Sequence, residues 1–173
     1  MTDLHHEPAS GDFSATPLAD GLSLVAWILL LVALGAGVGI FFGADAWYDG
    51  LLKPTFNPPA WVFGPVWTGL YALMAVALWL VRRTRDGGSA MRRTAIRLFW
   101  LQFALNLLWS PLFFGLHSPG AAFVDICLLW TAVVATALAF GRLRPIAGYL
   151  LLPYVLWVSF ALVLNGTIWL MNA

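Results

Sequence analysis

The chain has 173 residues, 61% of them hydrophobic and 10% charged, with a formal net charge of +1 and a mean hydropathy of +0.85. That balance is too apolar for an ordinary water-soluble domain, and it supplies no net basic field of the kind that gathers nucleic acid. With one cysteine, Cys127, the chain can form neither an internal disulfide framework nor a thiolate metal cluster.

Residues 1–21 mix Pro, Gly, Ser, His and acidic side chains without apolar periodicity, which predicts a disordered acidic tail ahead of a membrane domain over 22–173. The adjacent His5 and His6 read as solvated tail residues rather than metal ligands. Five apolar runs follow, each near the ~20 residues a helix needs to cross hydrocarbon. They lie at Leu22–Phe42, Ala60–Val81, Ala95–Phe114, Ala121–Gly141 and Ile146–Trp169. The fold class is therefore all-α, an integral membrane bundle of five transmembrane helices. The first run lacks a basic flank before it, which separates it from a signal peptide. Gly35, Gly39 and Gly43 recur along it every fourth residue. Such a ladder suits a homodimer seam, close packing within the chain or room for a ligand, and spacing alone does not separate these uses.

Between the first two runs lies Trp47–Tyr71, WYDGLLKPTFNPPAWVFGPVWTGLY, which holds four prolines, three tryptophans and the only lysine, Lys53. Prolines fix where a chain turns, and the rings that follow sit at helical spacing, so the segment reads as the mouth of a preformed pocket. In the second run Phe63, Trp67, Tyr71 and Met74 share one helical face. In the third, Gln102, Asn106, Trp109, Ser110 and Phe113 share another. In the fifth, Tyr154, Trp157, Ala161, Asn165 and Ile168 do the same, and Pro153 is expected to bend the helix. Two readings stand for these faces. One is a flat apolar ligand held between rings and oriented by Asn106 and the tyrosine hydroxyls. The other is an aromatic bundle core in which Asn bonds across helices with no ligand present. Trp47, Trp61, Trp100 and Trp169 lie near run ends, where an interfacial girdle is expected, whereas Trp67, Trp109 and Trp157 lie deeper. Asp125, about one turn into the fourth run, reads either as helix-start capping chemistry or as a proton relay.

Arginine placement orients the chain. Arg82, Arg83, Arg85, Arg92, Arg93, Arg97, Arg142 and Arg144 fall on one side and only Lys53 on the other, so the amino terminus is expected in the cytoplasm and the carboxyl terminus outside. The arginines beside the membrane read as a topology and headgroup signal rather than a nucleic-acid surface. There is no phosphate loop, no HExxH and no facing carboxylate pair. His117 lies in a short loop and no run contains a histidine, which excludes a bis-histidine haem. Lys53 in a loop excludes a retinal Schiff base, and no internal repeat of the transporter kind is visible.

Taken together, WYxxLxKPxFNPPxWxFxPVWxxLY at Trp47–Tyr71, LNLLWSPLFF at Leu105–Phe114, Asp125, and PYVLWVSFALVLNGTIWLMN at Pro153–Asn172 resemble the TspO/MBR family, also called tryptophan-rich sensory or translocator proteins or peripheral benzodiazepine receptors. The resemblance covers about residues 30–172. It implies a five-helix membrane protein, commonly a homodimer, whose pocket accepts porphyrins and other hydrophobic ligands with no required cofactor and no metal. By position it implies ligand contacts from Trp47, Phe63, Trp67, Tyr71, Asn106, Trp109, Ser110, Tyr154, Trp157 and Ala161. It likewise implies a lid over Trp47–Pro59 that includes Lys53, Pro54, Asn57, Pro58 and Pro59, with ligand carboxylates expected near Lys53. Trp67 and Trp157 match the pair implicated in the family's porphyrin photochemistry, so a light-dependent porphyrin-degrading enzyme is the alternative to a receptor, and porphyrin or sterol transport a further one. Phe56 stands where many members have tryptophan, and Ala121 where mammalian relatives have an aromatic. The sterol-associated carboxyl-terminal motif is incomplete, since Gly166 follows Asn165 and no basic residue comes after it.

Overall fold

The computed structural model describes residues 17–84 and 88–173. Lipid cannot hydrogen-bond to the backbone, so long apolar stretches close their peptide groups internally as helices. Among the described residues, five helical segments are long and apolar enough to cross a membrane. The elements are α1 (Pro17–Phe41), α2 (Ala46–Gly50), α3 (Ala60–Arg83), α4 (Ser89–Ser110), α5 (Pro119–Leu143), α6 (Pro145–Tyr149) and α7 (Leu152–Met171). A π turn, Pro111–Gly115, prolongs α4.

The helices outrun the apolar runs by a few residues because terminal turns face headgroups or water and need no apolar side chains. The differences are widest where α4 starts at Ser89 ahead of the expected Ala95, and at the start of the chain. Residues 17–21, expected in the tail, form the first turn of α1, where Pro17 is tolerated because that position has no intrahelical N–H bond to lose. The rest of the expected tail, with His5 and His6, lies outside the described residues, as does Arg85. The first turn of α1 is tied to the end of α3. Asp20 pairs with Arg83, the Trp79 indole N–H donates to Ser23 Oγ at 2.9 Å, and the Arg82 guanidinium sits 4.9 Å over the Trp27 ring.

α5 is the central helix, packing along both α4 and α7, while α1 leans mainly on α3. In hydrocarbon such packing is driven by dispersion and close fit rather than by escape from water. The core joins Met74, Leu78 and Val81 of α3 to Phe99 and Phe103 of α4, Leu129 and Phe140 of α5, and Tyr154 and Val158 of α7. α1 contributes one fully buried side chain, Leu31. At the α5–α6 corner the backbones nearly touch: a Cβ on Gly148 would lie 2.7 Å from the Cα of Gly141, so glycine is required there. The bend expected at Pro153 appears as a break in the fifth span. α6 stops at Tyr149 and α7 starts at Leu152, since Pro153 has no N–H to return to the preceding turn.

Candidate functional site

A cavity of ≈ 560 Å³ lies beneath the α1–α3 connection, walled by α1, α3, α4, α5 and α7. It falls within the size range of small-molecule sites. Of the residues expected to bind ligand, Phe63, Trp67, Tyr71, Asn106, Trp109, Ser110, Trp157 and Ala161 all line it. Helical spacing brought each set to one face, and the bundle turned those faces toward one space.

The rings brace one another. Trp67 stacks on Tyr71 with centroids 5.5 Å apart, Phe63 meets the edge of Trp157 at 5.9 Å, and Trp109 stacks on Phe113 at 5.0 Å. Pro111 begins the π turn, whose Leu116 N–H reaches back to the Pro111 carbonyl at 2.8 Å. Such turns widen a helix locally, and this one brings both Phe113 and Phe114 to the cavity wall. The polar groups are largely satisfied by neighbours. The Tyr71 hydroxyl donates to Asn106 Oδ1 at 2.7 Å. The Trp109 indole donates to Asn165 Oδ1 at 2.9 Å, and Asn165 Nδ2 donates to the Pro119 carbonyl at 2.9 Å, joining α4, α7 and the start of α5.

Two expected ligand contacts stand elsewhere. Tyr154 is fully buried behind Trp67, its ring 6.2 Å away edge-on, and is not part of the cavity wall. The rotation of α7 that turns Trp157 and Ala161 inward aims Tyr154 into the core instead. Trp47 also lies off the wall, stacked 4.4 Å from the His117 imidazole. The capping role considered for Asp125 does not hold, because α5 begins at Pro119 and Asp125 falls in its second turn. The side chain is buried, and its Oδ2 has no hydrogen-bond partner among the described residues, like the Gln102 amide and the Tyr154 hydroxyl.

The connection above the cavity, the expected lid, is braced by its own bonds. Asp45 starts α2 by accepting the Tyr48 N–H at 3.1 Å, and this bond, followed by the His117 contact, holds the Asp45 carboxyl below its usual range. His117 Nε2 lies 3.0 Å from Asp45 Oδ2. The Tyr48 hydroxyl, whose pKa burial pushes up, donates to Asn57 Oδ1 at 3.2 Å. Asn172 grips the far end, accepting the Leu52 N–H and donating to the Leu52 carbonyl, both at 2.9 Å. Of the expected lid residues, Asn57 and Pro58 reach the cavity, while Lys53, Pro54 and Pro59 do not. The Lys53 ammonium donates to the Asp49 and Leu51 carbonyls at 3.1 and 3.2 Å and lies 4.6 Å over the Tyr48 ring, engaged within the lid itself.

Sequence reasoning left the α1 side of the site open. Gly35, Gly39 and Gly43 all line the cavity, so the ladder leaves room there beside the first helix as well as close packing within the chain. At Gly35 the room belongs to Tyr71: a Cβ there would lie 2.0 Å from the Tyr71 ring. The grips of Asn172 and His117 on the lid were also missed, and no local pattern announces them.

The sequence profile of the TspO/MBR family matches residues 27–170. The chain is 44% identical over 153 residues to the tryptophan-rich protein TspO of Chlorobaculum tepidum, covering 87% of this chain and 96% of that protein. It is 40% identical over 143 residues to the translocator protein of Homo sapiens, covering 79% and 85%. With protein CrtK of Rhodobacter capsulatus it shares 37% over 155 residues, covering 87% and 94%.

Proposed function

The chain belongs to the TspO/MBR family, and from that premise we propose that it is a membrane receptor for a flat, porphyrin-type tetrapyrrole, held in the aromatic cavity under the lid. The observation that carries this reading is the cavity itself. A space of ≈ 560 Å³ edged by Trp67, Trp109, Trp157, Phe63 and Tyr71 suits a broad planar ring system. Aromatic walls give large contact area at little entropic cost, because each ring is already fixed by its neighbours. Binding of this kind needs no axial ligand and no separate cofactor. Sequestering the ligand, or handing it onward, would serve tetrapyrrole or stress regulation. In the same reading the arginine side faces the cytoplasm with the amino terminus, the lid and carboxyl terminus face outward, and the protein acts as a homodimer.

A light-dependent activity is the second reading, favoured by the presence of both Trp67 and Trp157 in the cavity wall. An excited bound porphyrin would oxidise an adjacent indole. Transport is a third possibility, resting on the translocator name of the human relative. Titration of the purified protein with protoporphyrin, read by tryptophan quenching and porphyrin absorbance in darkness and then in light, tests the proposal. Saturable binding with stable absorbance supports the receptor. Bleaching that is lost in Trp67→Phe and Trp157→Phe supports the enzyme, and an absence of saturable binding refutes both.

A further inference from the structure

A groove of ≈ 490 Å³ runs between α4 and α5 near the arginine end of the bundle, apart from the aromatic cavity. Thr94, Ala95 and Leu98 belong to one wall, and Ala135, Ala139 and Arg142 to the other. The three alanines leave the space that longer side chains would fill. The helices are antiparallel, so Arg142, in the last turn of α5, stands at the headgroup rim and Ala135, two turns back, marks the deep end. Seven residues of helix make the groove about 10 Å long, against roughly 15 Å of hydrocarbon in one leaflet. That depth suits part of an acyl chain rather than a water-borne solute.

Arg142 is exposed and makes no ion pair, hydrogen bond or ring contact among the described residues. By contrast, Arg82 lies over Trp27, Arg83 pairs with Asp20, and Arg92 donates to the Thr84 carbonyl at 2.7 Å. Asp20 is the one acid among the described residues at this end, since Asp45 and Asp49 lie in the lid and Asp125 in the core. Thr68, Thr131, Thr136 and Thr167 each donate to the carbonyl four residues back, whereas the Thr94 hydroxyl has no partner among the described residues. A cation at headgroup depth above an apolar trough matches an amphiphile with an anionic head, and guanidinium pairs with phosphate through two parallel bonds. We propose that the groove holds one anionic phospholipid, its phosphate on Arg142, a head or ester oxygen on Thr94, and one acyl chain along Ala95, Ala135 and Ala139. A zwitterionic lipid carries the same phosphate with a tethered cation that offsets the attraction, so the site sorts lipids by net charge. The proposal is independent of what the aromatic cavity binds.

The test offers the purified full chain equal amounts of phosphatidylglycerol and phosphatidylcholine with the same acyl chains, and counts retained lipid by native mass spectrometry. Phosphatidylglycerol is expected to be retained roughly fivefold over phosphatidylcholine, the preference one arginine at a membrane surface provides. Arg142→Gln should bring the two to parity. Arg144→Gln, also exposed but outside the groove wall, should leave the preference intact. Ala135→Phe, which fills the deep end with the charge untouched, should lower retention of phosphatidylglycerol several-fold. Parity in the wild type overturns the proposal, and so does an equal loss in Arg142→Gln and Arg144→Gln, which would mark diffuse surface charge. Displacement of phosphatidylglycerol by glycerol phosphate at matched concentration would mark a site for free phosphate and overturns the lipid assignment. If Ala135→Phe instead separates dimers and leaves lipid retention unchanged, the occupant is a second copy of the chain and the proposal fails.

Discussion

Gly35→Ala adds one methyl group where α1 meets the Tyr71 ring. The new Cβ would lie 2.0 Å from Tyr71 Cε2, 2.3 Å from Cζ and 2.7 Å from the hydroxyl. Carbon atoms rest about 3.5 Å or more apart, so the ring must retreat by about 1.5 Å. That displacement exceeds the tolerance of the 2.7 Å bond from the Tyr71 hydroxyl to Asn106. Overpacking of this kind costs ~1–3 kcal/mol, and a buried acceptor left unpaired adds ~1 kcal/mol. Alanine returns up to ~1 kcal/mol through helix propensity. The net loss is about 2 kcal/mol, a fall on the order of 5 °C in Tm. Gly39→Ala is the control, since a Cβ there meets nothing within 4 Å. Thermal unfolding in detergent, followed by near-ultraviolet circular dichroism, reads both. Ligand affinity should also fall in Gly35→Ala, because the displaced Tyr71 ring drags its stacked partner Trp67. Adding Tyr71→Leu to Gly35→Ala should recover most of the loss attributable to the clash. If Gly35→Ala melts with Gly39→Ala and binds ligand as wild type does, Tyr71 does not depend on the space above Gly35, and the reasoning fails.

Three further outcomes are expected. Asn172→Ala removes both bonds to Leu52, and should speed ligand dissociation several-fold in stopped-flow displacement while moving Tm little, as the contact is exposed. Trp109→Phe keeps the stacking on Phe113 but strands the buried Asn165 Oδ1, and should lower stability by ~1–2 kcal/mol in chemical denaturation. The lid should loosen only in acid. The Tyr48 amide bond and then the His117 contact hold the Asp45 carboxyl below its ordinary range, so the folded lid favours the ionised form. Its contribution is complete above the unfolded value and is lost as pH falls through the lowered folded value. Hydrogen exchange at the Tyr48 amide should therefore be steadily protected at neutral pH and lose protection below about pH 4. Asp45→Asn should abolish that dependence.

Much of the bundle was readable because hydrocarbon imposes a simple rule: twenty apolar residues with internal hydrogen bonds. The face of Phe63, Trp67 and Tyr71 and that of Asn106, Trp109 and Ser110 were readable for a related reason, since steps of three and four residues place side chains on one side of any helix. Depth and rotation were not. Tyr154 shares the face of Trp157 by count, yet one turn nearer the break between α6 and α7 it meets the core rather than the cavity. α1 offered little to read, because it is apolar on every side and its glycines state where space exists without saying what enters it. Contacts set by chain reversal, such as Asn172 with Leu52 or His117 with Asp45, have no local signature. Lys53 lies in the expected lid segment, and what the sequence did not show is the competition of nearby lid carbonyls for its ammonium group.

The grip of Asn172 on Leu52 also bears on how the site comes into being. Leu52 emerges early in synthesis and its partner 120 positions later, and α7 supplies Trp157, Ala161, Leu164 and Asn165 to the cavity. Until that last helix docks, the rings of α3 face lipid and the lid has nothing to hold its far end. The cavity wall is therefore complete only when assembly finishes, and the proposed ligand would add its stabilisation only to the completed bundle. In a chain whose helices gain little from mere burial, the last helix to be made is the one that closes the cavity.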